Sequence, residues 1–254
     1  MSDRSSSSAS DTAVGGSWLR ALTADPRHGR LPILLLALTV VTGVVDAVSI
    51  LRLGRVFVAN MTGNVVFVGF AAAGAPGFSL AASLLALVGF LFGVALAAQV
   101  WRRPLLGGAR LLGLAATAEL ALVLVALAIS LAVARPLPTG AVDSMAPVLA
   151  VAMGIQNAVA RRLAVPDLTT TVLTMALTGV AADFRDGQRQ AIGRRILAVV
   201  TMLCGAVAGA LLVIHVDVPA ALAVACGLLA VVSLGTIHAE RHVLGQPVVS
   251  GTSG

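Results

Sequence analysis

A carboxylate, Asp46, sits inside an apolar run that opens at Leu31, about five residues before the run ends. An ionised carboxylate in hydrocarbon costs roughly 2.5–3.5 kcal/mol on insertion scales, so such a residue marks a proton or cation site by default. The competing readings are structural: a partner for Arg52 or Arg55, or a group that caps the next helix. A dozen residues on, Asn60, Thr62, Gly63 and Asn64 form the densest polar group in the second apolar segment. Amide and hydroxyl groups donate and accept without carrying charge, and glycine permits a broken or closely approached backbone. Together they suit a neutral polar solute, or an ion held by carbonyls. The same residue types also fasten helices together in membranes.

The pattern returns about 110 residues later. Gly43-Val-Val-Asp46-Ala-Val-Ser49 is answered by Gly154-Ile-Gln156-Asn157-Ala-Val-Ala160. Setting Gly43 on Gly154 puts Asp46 on Asn157, and one inserted residue sets Thr62 on Thr174 in the run from Thr169. Duplicated membrane segments with polar residues in matching places are the mark of a transporter fold built from two repeats. The candidate substrate or ion site is therefore Asp46, Asn60, Thr62, Gly63, Asn64, Gln156, Asn157 and Thr174. Glu119, the other deep acid, has no acidic counterpart in the second repeat and is a candidate for proton relay or for a structural hydrogen bond.

These residues must be positioned by helices. The chain has 254 residues, of which 58% are apolar and 11% charged, with a mean hydropathy of +1.00. An average soluble domain carries roughly 25% charged residues. Eight apolar segments can be drawn, at about 31–51, 56–73, 78–101, 109–134, 145–163, 168–183, 194–214 and 218–237. Six have the length of a bilayer span. The second and sixth are interrupted by polar residues, and they occupy equivalent places in the two halves. Arginine decides how they run, since cytoplasmic loops collect basic residues. Eight crossings with a cytoplasmic N-terminus, Arg4 left aside, place nine arginines inside and seven outside. Six crossings, with segments two and six re-entering on the side they came from, place thirteen inside and three outside.

The expected fold is thus an all-α polytopic bundle of six full spans and two broken segments, built from repeats at 31–134 and 141–237. Three crossings per repeat make the pair inverted. Residues 1–30 read as a polar tail, 31–240 as the membrane domain and 241–254 as a flexible tail. Both termini are expected in the cytoplasm.

Several classes of function are disfavoured. All 17 basic residues are arginine, and those in the membrane domain form small groups at segment ends, so the net charge of +6 implies no nucleic-acid partner. Cys204 and Cys226 lie mid-segment without ligand-spaced companions and read as small buried apolar residues. The four histidines form no metal-ligand pair. No phosphate-binding loop, nucleophile elbow or His-Glu-x-x-His is present, so neither an enzyme nor a cofactor is expected.

Thr42-Gly43-Val-Val-Asp46-Ala-Val-Ser49, followed by Asn60-Met-Thr62-Gly63-Asn64, resembles the first hallmark of the YoaK-type family of bacterial membrane proteins. Met153-Gly154-Ile-Gln156-Asn157-Ala resembles the second, over a likeness that runs from about 31 to 240. The chain departs at Thr174-Met175-Ala176, where another Thr-Gly pair is expected; Thr178-Gly179 follows, displaced. The family is one of unknown function, so the resemblance implies a multi-pass protein of the bacterial inner membrane and no substrate. The bilayer is the implied partner, and a homo-oligomer is compatible with the sequence. Two functions stand: a secondary transporter or channel for a small polar solute or ion, and a non-transporting scaffold whose polar residues only fasten helices.

Overall fold

The structure, a computed structural model, describes residues 31–101, 107–133, 137–164, 178 and 189–244. Its elements are all helices: α1 (Leu31–Arg52), α2 (Met61–Ala72), α3 (Leu80–Trp101), α4 (Gly108–Ala132), α5 (Thr139–Leu163), α6 (Arg189–His215) and α7 (Val218–Leu244). Hydrocarbon offers no partner for backbone N–H and C=O groups, so apolar runs of this length must satisfy them internally as helix. Six of the helices are long and apolar enough to cross a bilayer; α2, with 12 residues, is not. The protein is a multi-pass integral membrane protein.

Several boundaries differ from the sequence reading: the second segment is helical only over Met61–Ala72, and the seventh begins at Arg189, not near 194. The fifth segment begins at Thr139, not near 145, because polar residues at that end stay within the helix: Ser144 Oγ donates back to Ala141 O at 3.0 Å. Helix α7 continues through Leu244, beyond the expected start of the tail at 241.

Side-chain-free crossings fix the direction of each helix. Gly205 meets Val40 and Gly209 meets Val44 and Ala47, so α1 and α6 run parallel. Gly89 meets Pro147, and Gly93 meets Val151 and Ile155, so α3 and α5 also run parallel. Gly113 meets Thr236 while Thr117 meets Ser233, so α4 and α7 are antiparallel. Gly108 lies near Leu31 and Leu163, which gathers the starts of α1 and α4 and the end of α5 at one face, here called the base. Gly54 lies near Ala82 and Val142, gathering the end of α1 and the starts of α3 and α5 at the opposite face, the apex. Helices α1, α4 and α6 therefore rise from base to apex, and α3, α5 and α7 descend. The connection 53–79, with α2 inside it, leaves and returns at the apex. Segment two is broken and re-entrant as expected; segment six, at 168–183, lies outside the described residues apart from Thr178.

Burial sorts the helices into layers. Within their most apolar stretches 67% of α1 and 61% of α5 are buried, against 33% of α3 and 22% of α6. The inner pair is α1 and α5, and α3 and α6 present Val88, Leu91, Phe92, Leu203, Val207 and Leu211 outward. An apolar exterior on this scale is a surface for lipid. Cys226 is buried, whereas Cys204 is exposed on α6, because an apolar run does not reveal which of its faces looks inward.

The inner helices meet the outer ones through backbone. A Cβ on Gly43 would stand 2.5 Å from Met202 O and 2.6 Å from Ala206 N. A Cβ on Gly154 would collide in the same way with Phe90 O and Val94 N. Reciprocally, Gly205 faces Val40 O and Gly93 faces Val151 O. Corresponding atoms lie 111 residues apart between α1 and α5 and 112 apart between α3 and α6. Gly43→Ala and Gly154→Ala should each lower stability by about 1–3 kcal/mol, the usual cost of overpacking a close contact. Gly227 faces open space, and Gly227→Ala should be neutral or stabilising by up to about 1 kcal/mol through helix propensity. Thermal unfolding in detergent checks the contrast; equal stability of all three variants would show that the crossings tolerate a methyl group.

Candidate functional site

The re-entrant connection is built from Leu53 onward. After Leu53 N donates to Ser49 O at 3.0 Å, the chain turns sharply through Gly54 (φ 83) and Arg55 (φ 56). A non-glycine residue with positive φ is uncommon, and Arg55 adopts it beside Gly77, whose missing side chain leaves room for the guanidinium. Residues Val56, Val58 and Ala59 then enter the core in non-helical form. Their backbone needs partners that no helix supplies.

Two predicted residues provide them. Asp46 Oδ1 accepts from Val58 N and from Ala59 N, both at 3.1 Å. Asn64, fully buried, accepts at Oδ1 from Phe57 N at 2.9 Å and donates from Nδ2 to Phe57 O at 2.6 Å. One amide thus satisfies both backbone groups of a residue, as a neighbouring strand would. Gly63 allows the Phe57 ring to lie against α2, since a Cβ would come within 2.5 Å of the ring. That ring stacks on Phe67 with centroids 5.6 Å apart, and Phe67 and Phe70 pack on Phe78 at 5.0 and 5.3 Å. Asp46 is therefore partnered by the loop ahead of α2. Among the described residues Asp46 bonds to neither Arg52 nor Arg55. Asn60 and Thr62 are exposed, and Asn60, at the N-cap of α2, makes no side-chain capping bond.

A second polar group joins three helices. Gln156 on α5 is buried, and one end of its amide lies 2.7 Å from Thr42 Oγ1 on α1. The other end lies 2.7 and 3.1 Å from the two carboxyl oxygens of Glu119 on α4. Glu119 and Thr42 are both wholly buried, and Thr42 Oγ1 is 3.0 Å from Leu38 O. The sequence allows Glu119 a structural hydrogen bond to a neighbouring helix without naming the partner, and it assigns Thr42 no role in that contact. The sequence carries a signal for the contact: a short connection joins α4 to α5, which makes them antiparallel neighbours, with Glu119 deep in one and Gln156 deep in the other.

The predicted residues fall into separate sets. Asp46, Gly63 and Asn64 belong to the re-entrant loop, and Gln156 and Glu119 to the three-helix junction. Asn157, half-buried, donates to Met153 O at 3.0 Å. Thr174 lies outside the described residues. Two clefts open on the molecule. One of about 410 Å³ at the apex is lined by Arg52, Gly54, Arg55, Leu137 and Asp217 among others. The other, of about 750 Å³, is reached from the base between α3, α4 and α5. None of the predicted site residues lines either cleft. No cluster of metal ligands occurs among the described residues.

Asp46→Ala leaves the Val58 and Ala59 N–H groups unpaired, at about 1–3 kcal/mol for each buried unsatisfied donor. Its thermal unfolding transition should fall well below the wild type, while Asp46→Asn, which keeps an acceptor oxygen in place, should lose less than half as much. An Asp46→Ala protein as stable as the wild type would remove the carboxylate from its role as loop anchor.

Comparison with known proteins agrees with this architecture. The chain is 34% identical over 152 residues to the UPF0700 transmembrane protein YoaK of Bacillus subtilis (strain 168). The aligned stretch is 59% of this chain and 65% of that protein, so the match spans just under two-thirds of the relative's length. No solved structure matches the chain. A family profile described as a protein of unknown function, DUF1275, matches residues 34–235. That stretch takes in all six candidate spans almost entirely, both glycine crossings and the polar junction, and the chain belongs to the DUF1275 family.

Proposed function

We propose that the protein is a secondary transporter or channel for a small polar solute or ion, built from two inverted repeats in a bacterial plasma membrane. One observation carries the reading: the 53–79 connection leaves and re-enters at the apex, bringing non-helical backbone to the depth of Asp46. Interrupted segments at membrane depth are tolerated only where protein or a water-filled cavity satisfies them, and in repeat-built transporters they form the binding region. The opposite directions of α1 and α5, with matching glycine crossings 111 and 112 residues apart, support inversion. Asn60 and Thr62, exposed beside the anchored loop, are the residues free to meet a solute.

The arginines orient the molecule. Arg110, Arg161, Arg162, Arg194 and Arg195 stand toward the base, and Arg52 and Arg55 toward the apex. By the positive-inside rule the base faces the cytoplasm. In a variant lacking Cys204 and Cys226, a cysteine at Ala75 should react with an impermeant maleimide added to intact cells, and one at Ala164 should react only after lysis. The reverse labelling would invert the molecule, and both reacting from outside would break the six-span order.

The second reading, a scaffold or partner subunit, is favoured by the self-sufficiency of Asp46, Asn64 and Gln156, each of which meets neighbouring protein atoms. Proteoliposomes on a solid-supported membrane separate the two. Addition of sodium, potassium, chloride, or a neutral amino acid or sugar should give a current or uptake with at least one of them. Thr62→Val should reduce that flux severalfold without loss of folded protein. Absence of flux for every solute with correctly folded protein would leave the scaffold.

A further inference from the structure

We infer that Glu119 is a proton-binding site and that the Gln156 amide turns over with its occupancy, linking protonation in α4 to a hydrogen bond in α1. The inference rests on the membrane architecture and deepens the site beside the proposed pathway, but it does not depend on transport.

The argument is one of counting donors. The junction contains the Glu119 carboxyl, the Gln156 amide, the Thr42 hydroxyl and the Leu38 carbonyl, joined end to end at 2.7, 2.7 and 3.0 Å. An amide has a donating end and an accepting end, and a hydroxyl has one hydrogen. If Glu119 carries a proton, its O–H donates to Gln156 Oε1, Gln156 Nε2 donates to Thr42 Oγ1, and Thr42 donates to Leu38 O. The contacts at 2.7, 2.7 and 3.0 Å are then all hydrogen bonds. If Glu119 is ionised, two acceptors would confront each other unless the amide rotates by half a turn. Nε2 then donates to the carboxylate, Oε1 accepts from Thr42, and the hydroxyl gives up Leu38 O. The two orientations are the two protonation states. The proton is the only species exchanged, and one rotation of a terminal torsion accommodates it without displacing a helix.

Among the described residues no other ionised group competes. On α4 itself Arg110 stands nine residues away at the base, and on α5 Asp143, Arg161 and Arg162 stand near the helix ends. Among its described side chains α7 brings the Cys226 thiol and no charge. On α1, reached through Gln156, Asp46 is engaged by Val58 and Ala59. A route for the proton is also present. The base cleft of about 750 Å³ has Gln99 and Arg110 near its mouth, and at the end farthest from the base it reaches Ala118 and Ile155. These are the chain neighbours of Glu119 and Gln156.

The experiment is an infrared pH titration of the full chain in nanodiscs with ¹³C-labelled glutamate. The chain has two glutamates, Glu119 and Glu240, so Glu119→Gln and Glu240→Gln assign the bands. The expected result is a protonated-carboxyl band that titrates as one proton, is lost in Glu119→Gln and is retained in Glu240→Gln. Gln156→Met, which keeps volume and removes both hydrogen bonds, should displace the midpoint by about tenfold in proton concentration, roughly one pH unit. Thr42→Val, milder in volume, should displace it in the same direction by less. A Glu119 band that stays constant over the whole range in which the protein is folded would overturn the site. A titration left unmoved by both Gln156→Met and Thr42→Val would overturn the amide switch. Failure of every flux measurement, with the titration intact, would count against transport and leave the proton site standing.

Discussion

Backbone that leaves the helical state inside a bilayer must find hydrogen-bond partners or expel itself to the surface, and much of this molecule follows from how that demand is met at one place. Between Leu53 and Asn60 the chain runs through the core without helix, and the two side chains of the right chemistry stand on either side of it. Asp46, on the helix already laid down, takes the N–H groups of Val58 and Ala59. Asn64, on the helix about to begin, takes both groups of Phe57. Neither substitution by an apolar residue nor a shift of register preserves this pairing, and the reversal at the apex depends on it. Because the chain turns back there, α3 descends where an ordinary crossing would have left it rising, and α5 runs opposite to α1.

The resulting directions set α1 beside a parallel α6 and α3 beside a parallel α5. Helices packed without a hydrophobic driving force between them depend on van der Waals contact, and small residues let their backbones approach. Gly43 with Gly205, and Gly154 with Gly93, bring the inner pair α1 and α5 into contact with α6 and α3 at backbone distance. Each inner helix is thereby clasped by an outer helix from the other half of the chain, so neither half has a complete core of its own. Burial follows the same division, with the inner helices largely covered and the outer ones turned to lipid.

Much of this was legible in the sequence because bilayer physics writes in large letters. Six spans follow from length and apolarity, and the interruption at Asn60–Asn64 follows from polar density. The arginine distribution distinguishes six crossings from eight before any coordinate is known. The chemistry of individual residues was harder to read. Asp46 stood out by cost alone, but whether a buried carboxylate holds an ion or a loop depends on what passes beside it, and Val58 and Ala59 carry no sign of that role in their side chains. Asn64 was grouped with Asn60 and Thr62 by proximity, although a helix carries the first inward and leaves Thr62 exposed. Thr42 was passed over because a lone threonine in an apolar run most often bonds its own helix, as Thr39 does with Leu35 O.

The halves correspond in their apolar framework and diverge in their polar content. At the position matched to Asp46 the second half carries Asn157, which turns to its own helix at Met153 O. Counting 112 residues on from Glu119 reaches Val231, which is exposed, and counting 111 back from Gln156 reaches Val45, which is buried. The close glycine crossings thus occur twice, while among the described residues the carboxylate anchor and the three-helix junction each occur once. Each close crossing needs its small residues, because a side chain at any of them pushes a pair of backbones apart. Polar groups are under no such paired constraint: a second buried acid adds a desolvation cost without adding a contact that the bundle needs. Asp46 holds the re-entrant loop of its own half and Glu119 meets Gln156 from the other half, so a change of protonation at the junction leaves the crossings that hold the bundle together undisturbed.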